Sequence, residues 1–279
     1  MVRTLVRGET GPSGGPAMTD VLGVCESWAA DVAVVRRHDG TAVAIPLGDI
    51  VSGKPVPPRP SIRHRTDPRE AQVRAMALFP DLASVPLGDW VLRSSPTSRA
   101  RRANSVLAMG ADPAGDPLAT VDAHYRSLGR RPIAAVLRDS SAETAFTAGG
   151  WVAESDDADT VFQLAGVAHA LRGVPRGRLG ADLVATGDLA RASIGERARG
   201  VAVVAGDWIG LRSIEVEPAH RGSGLGTAVL GELLAWGAER GARTAYLQVL
   251  GDNAPALALY ARLGFATHHS YRYLAPPPR

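Results

Sequence analysis

The sequence predicts an α/β protein with a mixed sheet, built as two successive halves behind a small strand-rich segment. Three observations predict it. Residues 66–165 and 180–279 share one order of elements: helix, strand, short helix, a Gly-aromatic pair, strand. Residues 20–60 carry short apolar runs around the turn dipeptide Asp39-Gly40, a hairpin signal. Between them, KPVPPRPS reads as a linker, because proline removes backbone donors and favours extended chain.

Residues 1–19 are rich in Gly, Pro and Ser and are expected to be a disordered leader, with Met18 as a second candidate start. Residues 20–60 are expected to form a small β-barrel. The first half, 61–165, opens with DPREAQVRAMALF, a helix capped by Asp67 with Pro68 at its first position. DWVLRS and RRANSVLAM read as strands, PLATVDAHYRSLGR as a helix, RPIAAVLR as a strand and SAETAFTAGG as a short helix. Gly150-Trp151 and strand TVFQLAG follow. In the second half, 166–279, ARASIGERAR, GVAVVAGDWIG and LRSIEVEP read as strands. A long helix is expected from Gly224 to Arg240, with Leu225, Val229, Leu233 and Trp236 at helical spacing. Strand TAYLQVL, helix APALALYARL, Gly264-Phe265 and strand HSYRYLA complete the half.

Composition narrows the function classes. Of the 279 residues, 45% are hydrophobic and 21% charged, enough for a sizeable core. No apolar run approaches the roughly 20 residues of a membrane span, and no signal-peptide core opens the chain, so a cytoplasmic, membrane-free protein is expected. Cys25 is the only cysteine, which excludes an internal disulfide and a multi-thiolate zinc site; no metal is expected. A net charge of +3 gives nucleic acid little support as a partner. Arg99, Arg101 and Arg102, with the pair Arg130-Arg131, read as solvated surface or ligand-phosphate contacts, since no aromatics interleave them.

The chemistry concentrates in AHRGSGLGT, where strand SIEVEP runs into the long helix. Small residues let backbone approach a ligand. The first amides of a helix lack internal partners, and with the helix dipole they suit a pyrophosphate. Arg221 can add a charge-assisted contact. A Walker A loop would need a lysine after its last glycine, and Thr227 stands there. A dinucleotide fingerprint would need a glycine where Thr227 lies, and a further βαβ unit. An ordinary glycine-rich turn stays open on the loop alone.

The motifs V-E-P-x-x-R-G-x-G-L-G, L-Q-V-x-x-x-N and A-L-Y-x-x-L-G-F follow in order across residues 180–279. Together they resemble the GNAT (general control non-repressible 5-related N-acetyltransferase) superfamily. More faintly, residues 20–165 resemble an actinobacterial tandem subgroup with a small N-terminal β-barrel and a degenerate first half. The elements are Trp90-Val91-Leu92-Arg93 and Arg102-Ala103-Asn104-Ser105; GADPAGDP stands where the first half would need its own loop. The resemblance implies acetyl-CoA as co-substrate and transfer of its acetyl group to an amine of a small molecule, peptide or protein. It also implies that the backbone of Ile214 and Val216 meets the pantetheine arm. Arg221, Gly222, Ser223, Gly224, Leu225, Gly226 and Thr227 would hold the pyrophosphate, and Asn253 would lie near the pantetheine. Tyr260 would be the general acid. Glu215 and Glu217, two apart and on one strand face, are candidate bases. Where some members place a glutamate, this chain has Gln248, which cannot act as a base. A regulatory module that binds acetyl-CoA without turnover, and a nucleic-acid-associated acyltransferase, are the alternatives.

Overall fold

A computed structural model describes residues 1–12, 14–37, 40–54, 62–175 and 180–278. The chain divides into two compact units, Met1–Pro60 and Ser61–Arg279.

The N-terminal unit holds β1 (Val2–Thr10), β2 (Pro16–Val21), β3 (Val24–Trp28), β4 (Val32–Arg36), β5 (Ala42–Pro46) and β6 (Ile50–Gly53). They form two three-stranded sheets, β2-β1-β6 and β3-β4-β5, around a small core of Val2, Val21, Val35 and Ile45. Two expectations are corrected here. The leader is not disordered: Gly11 and Gly15 close a tight turn (N···O 2.7 Å), and β2 folds back onto β1 with Val2 opposite Val21. Nor do the sheets close into a barrel, because among the described residues no ladder joins one sheet to the other and β3 is exposed along its length. The expected hairpin exists as β4 paired with β5; Asp39 and the linker residues 55–61 lie outside the described residues.

The second unit contains α1 (Pro68–Ala75), β7 (Ala83–Leu87), β8 (Trp90–Ser94), β9 (Val106–Ala108), α2 (Pro117–Ser127), β10 (Ala134–Leu137), α3 (Ser141–Ala148), β11 (Val152–Ala153) and β12 (Asp159–Gly166). It continues with α4 (Val167–Arg172), β13 (Asp182–Thr186), β14 (Leu189–Ile194), β15 (Ala198–Ala205), β16 (Trp208–Val216), α5 (Leu225–Glu239), β17 (Thr244–Leu250), α6 (Ala254–Arg262) and β18 (Ala266–Ala275). Capping drew the helices where the sequence placed them: Asp67 accepts from Arg69 and Glu70, and Ser140 from Glu143. Strand limits moved more. Arg101–Ala103 is a 3-10 turn rather than strand, because Asn104 turns inward to bond the carbonyls of Ser98 and Ala100. The expected break between GVAVVAGDWIG and LRSIEVEP is absent, and Trp208–Val216 is one strand.

All of these strands join one mixed sheet in the order β13-β14-β15-β16-β17-β12-β18-β10-β9-β8-β7, with β11 on β18. The order shows a reciprocal exchange. β12, which ends the first half, pairs with β17 of the second, while β18, which ends the second, pairs with β10 of the first. Each half thus completes its sheet with a strand of the other. Leu211, Leu247, Val229 and Leu233 lie in the core between this sheet and α5. Phe79, Phe162 and Tyr246 lie in a second core that includes Ala71 and Ala75 of α1.

A chain of hydrogen bonds ties α1 to β18. His268 Nε2 lies 2.8 Å from the carbonyl of Thr66, so it carries the proton and donates. Its Nδ1 therefore accepts from His269 Nδ1, 2.7 Å away, and His269 Nε2 accepts from Gln72 Nε2 at 3.0 Å. Both rings are neutral in this arrangement. Burial, with His268 alongside, pushes His269 down to about 3. The unfolded chain, with a histidine near 6.5, binds more protons below that pH. This contribution to stability is therefore complete above about pH 6.5 and is lost as pH falls toward 3. His269→Phe keeps the stacking on Phe162 but orphans Gln72 and His268. Urea unfolding should show a loss of about 1–3 kcal/mol at pH 7 and a shallower fall in stability between pH 6.5 and 4.5 than in the native chain. An equal slope in both proteins would refute the assignment.

Candidate active site

The site begins where a strand pair stops. β16 and β17 run parallel and pair from Trp208–Thr244 to Leu211–Leu247. β16 then continues to Val216 and β17 to Leu250 without pairing to each other. The divergence has a local cause. Against β15, Val201 lies opposite Arg212 but Arg199 opposite Glu215, so Ser213 and Ile214 share the place opposite Gly200. Ser213 has φ 53°, the left-handed conformation of a bulge. Gly200 makes room: a Cβ there would stand 2.6 Å from Ile214 Cδ1 and 2.8 Å from Val229 Cγ1.

The bulge fixes which backbone groups face the gap. The amide of Glu217 donates to Arg197 on the β15 side (2.9 Å). Alternation along the strand then turns the backbone groups of Val216 and Ile214 toward the other edge, into the gap. Arg221 Nε donates to the Val216 carbonyl at 3.4 Å, which holds the guanidinium beside the loop.

The gap leads to the start of α5. Gly222 and Gly224 have φ 77° and 85°, and Gly224 caps the helix with no side-chain hydrogen bond. No acidic residue stands in the first turn of α5. The amides of Leu225, Gly226 and Thr227 thus open a 15-residue helix with neither a capping oxygen nor a repelling carboxylate. Ser223 Oγ instead bonds the carbonyl of His220. The matching helix of the first half differs: Asp116 caps α2 by accepting from Ala119, and Pro117 comes next, so a carboxylate occupies the place of an incoming anion.

The other anticipated residues are partly gathered here. Tyr260, on α6, is 8% exposed and packs edge-on to Phe265. Burial pushes its hydroxyl up to about 12, with the Arg102 charge opposing. Asn253 is the cap of α6, accepting from Ala256 at 3.2 Å, so its Oδ1 is engaged and only its Nδ2 is left to meet a ligand. Glu215 and Glu217 are exposed and paired, Glu215 with Arg199 and Glu217 with His220 at 3.0 Å. Gln248 is buried and accepts from the Tyr271 hydroxyl. Arg102 Nη1 reaches the Gln248 backbone carbonyl at 3.5 Å, bringing a first-half cation to the gap. The sequence set it in a run of arginines, of which Arg101, Arg130 and Arg131 have structural partners. Arg101 binds Glu154 and Asp157, and Arg130 binds Asn104 and the Ser95 carbonyl.

The chain is similar to several known proteins. The family described as probable histone acetyltransferase Rv0428c C-terminal matches residues 151–274. An uncharacterized N-acetyltransferase, YobR of Bacillus subtilis, is 39% identical over 77 residues, 27% of this chain and 31% of its own length. The streptothricin acetyltransferase of Streptomyces lavendulae is 43% identical over 56 residues, 20% of this chain and 30% of its own. A solved GCN5-related N-acetyltransferase from Kribbella flavida superimposes with a TM-score of 0.56 at 16% identity, over 76% of this chain and 96% of that one. Residues 151–274 thus resemble an acetyltransferase family, and the fold is that of a GNAT protein. The matched segments span less than a third of each curated relative. The GNAT fold therefore rests on the family match and the superposition together. Among the described residues, no helix is long and apolar enough to cross a membrane, and no cluster of metal-ligating side chains forms.

Asn253 allows a test of cap against ligand contact. Asn253→Ala should cost about 1 kcal/mol in urea unfolding, whereas Asn253→Asp, which keeps the capping oxygen, should not. Calorimetry with coenzyme A on the aspartate variant isolates the Nδ2: a weaker affinity at unchanged stability assigns it a ligand contact, and an unchanged affinity makes Asn253 a cap alone.

Proposed function

We propose that the second half transfers the acetyl group of acetyl-CoA to an amine by direct attack. The observation that carries this reading is the gap between β16 and β17, with the uncapped, carboxylate-free start of α5 at its end. The residues fit such a ligand. The backbone groups of Ile214 and Val216 that face the gap suit the amide-bearing pantetheine arm, the Val216 carbonyl being shared with Arg221. The amides from Gly222 to Thr227, with Arg221, suit the pyrophosphate. The relatives named as acetyltransferases support the same chemistry.

In the transfer, the amine nitrogen bonds to the thioester carbon, the carbon–sulfur bond breaks, and the electron pair leaves with sulfur. Tyr260 stays protonated at neutral pH, with its hydroxyl near 12. A thiolate whose conjugate acid lies near 8.5 would not draw that proton fully across. Tyr260 therefore acts as a hydrogen-bond donor to the developing thiolate, and solvent supplies the final proton. The amine proton leaves through water, with Glu215 the nearer carboxylate and Glu217 one pleat farther along the strand. Gln248 orients rather than accepts, since its amide oxygen already binds Tyr271.

Tyr260→Phe tests the reading. Thiol release over a panel of amines should show kcat reduced about 10²-fold with the KM for acetyl-CoA little changed. Acetyl-CoA binding without turnover of any amine would reject catalysis in favour of a regulatory module.

A further inference from the structure

The acceptor side of the gap carries an unbalanced positive charge. Cross-strand register places Arg191 opposite Val201 and Val201 opposite Arg212, so Arg191 and Arg212 share one face, two strands apart. That separation is roughly 9–10 Å. Arg212 lies over the Phe79 ring at 5.5 Å, on the face away from α5. Arg102 approaches the same face from the first half, at the Gln248 carbonyl. Among the described residues, none of the three has a carboxylate within ion-pair distance, unlike Arg101, Arg138, Arg199 and Arg272.

Arg212 is the most revealing of them. It is half-buried, and its Nε is buried with no hydrogen-bond partner among the described residues. Burial first, then the charges of Arg191 and Arg102, lower its pKa; Asp81 opposes them. Asp81 is already committed, accepting from Ser95 and from both the amide and hydroxyl of Thr97. A buried, unmatched donor among like charges is costly unless something anionic completes it. The coenzyme phosphates are poorly placed to do so. Their loop starts beyond Val216, and Arg212 lies four residues earlier, ~13 Å back along the strand.

We infer that the acceptor amine carries an acidic group, a carboxylate or a phosphate, held by Arg102, Arg191 and Arg212 on the face of the gap opposite α5. This inference rests on the proposed acetyl transfer, and it adds the substrate class. The first half then supplies one of the three cations of the acceptor site through Arg102. Guanidinium groups suit the task, since their planar forks meet carboxylate or phosphate oxygens in pairs.

Matched acceptors test it. Thiol release is measured with an amino acid against its amide, and with phosphoethanolamine against ethanolamine. In parallel, glutarate binding to the coenzyme A complex is followed by calorimetry, as an amine-free anion. The acidic member of at least one pair should be preferred at least tenfold in kcat/KM, and the pair that shows it identifies the anion. Arg191→Gln, at an exposed position, and Arg102→Gln should each reduce that preference about tenfold, mainly through KM, and weaken glutarate likewise. Coenzyme A binding and the urea midpoint confirm folded variants. Equal use of charged and neutral partners, or no glutarate binding, overturns the inference while leaving acetyl transfer intact. Arginine-dependent glutarate binding with no amine turned over would instead retain the anion site and remove the reaction.

Discussion

The second unit depends on one broken ladder. A parallel pair normally satisfies the backbone of both strands, and groups left without partners must find others or meet water. Here the pairing of β16 with β17 ends at Leu211 and Leu247, because two residues of β16 occupy one place against β15. That single extra residue rotates the remainder of the strand. Ile214 and Val216 keep their side chains against the core under α5, while their backbone groups turn into the gap. Had β15 carried a larger residue than Gly200, Ile214 and Val229 would have been forced apart, and the bulge would lose its seat. A ligand with amide groups spaced along a chain is a natural substitute for the missing strand.

A gap inside a sheet threatens the sheet, and the strand exchange answers it. β17 loses part of its ladder on one side but is paired along its whole length with β12 on the other, from Thr160–Leu250 to Gly166–Thr244. β12 in turn pairs with β18, and β18 with β10. The first half therefore braces the open side of the second. This gives a physical reason to retain a half whose own helix start is closed by Asp116. It also explains why Arg102 can stand at the Gln248 carbonyl: β9 and its preceding turn are carried there by the common sheet.

Much of this was legible in the sequence. The glycine loop, the long helix, Asn253 and Tyr260 are local signals, set by chain neighbours, and each lies on the element expected of it. The bulge was not legible. Ser213 is an ordinary residue in an apolar strand, and its positive φ arises from register against β15, which no local pattern encodes. The N-terminal segment misled for a related reason. Gly11, Gly14 and Gly15 look like the marks of disorder, yet they bond one another in the turn that returns β2 along β1. The same composition suits either outcome, and Val2 and Val21 decide it by meeting in the core.

The arginines show where reading residue by residue fails. Arg101 and Arg102 are adjacent in sequence and identical in kind, yet Arg101 is enclosed by Glu154, Ser155 and Asp157 and lies over Tyr273. It is a structural cation, matched within the fold. Arg102, one residue on, points to the other half of the molecule, and its one hydrogen bond among the described residues is to a backbone carbonyl. The fold has carboxylates to spend next to Arg101, since Asp156 stands beside that cluster without an ion pair of its own among the described residues. Leaving Arg102, Arg191 and Arg212 unmatched around a gap that must admit a second substrate is therefore better explained by the charge of that substrate than by a shortage of partners.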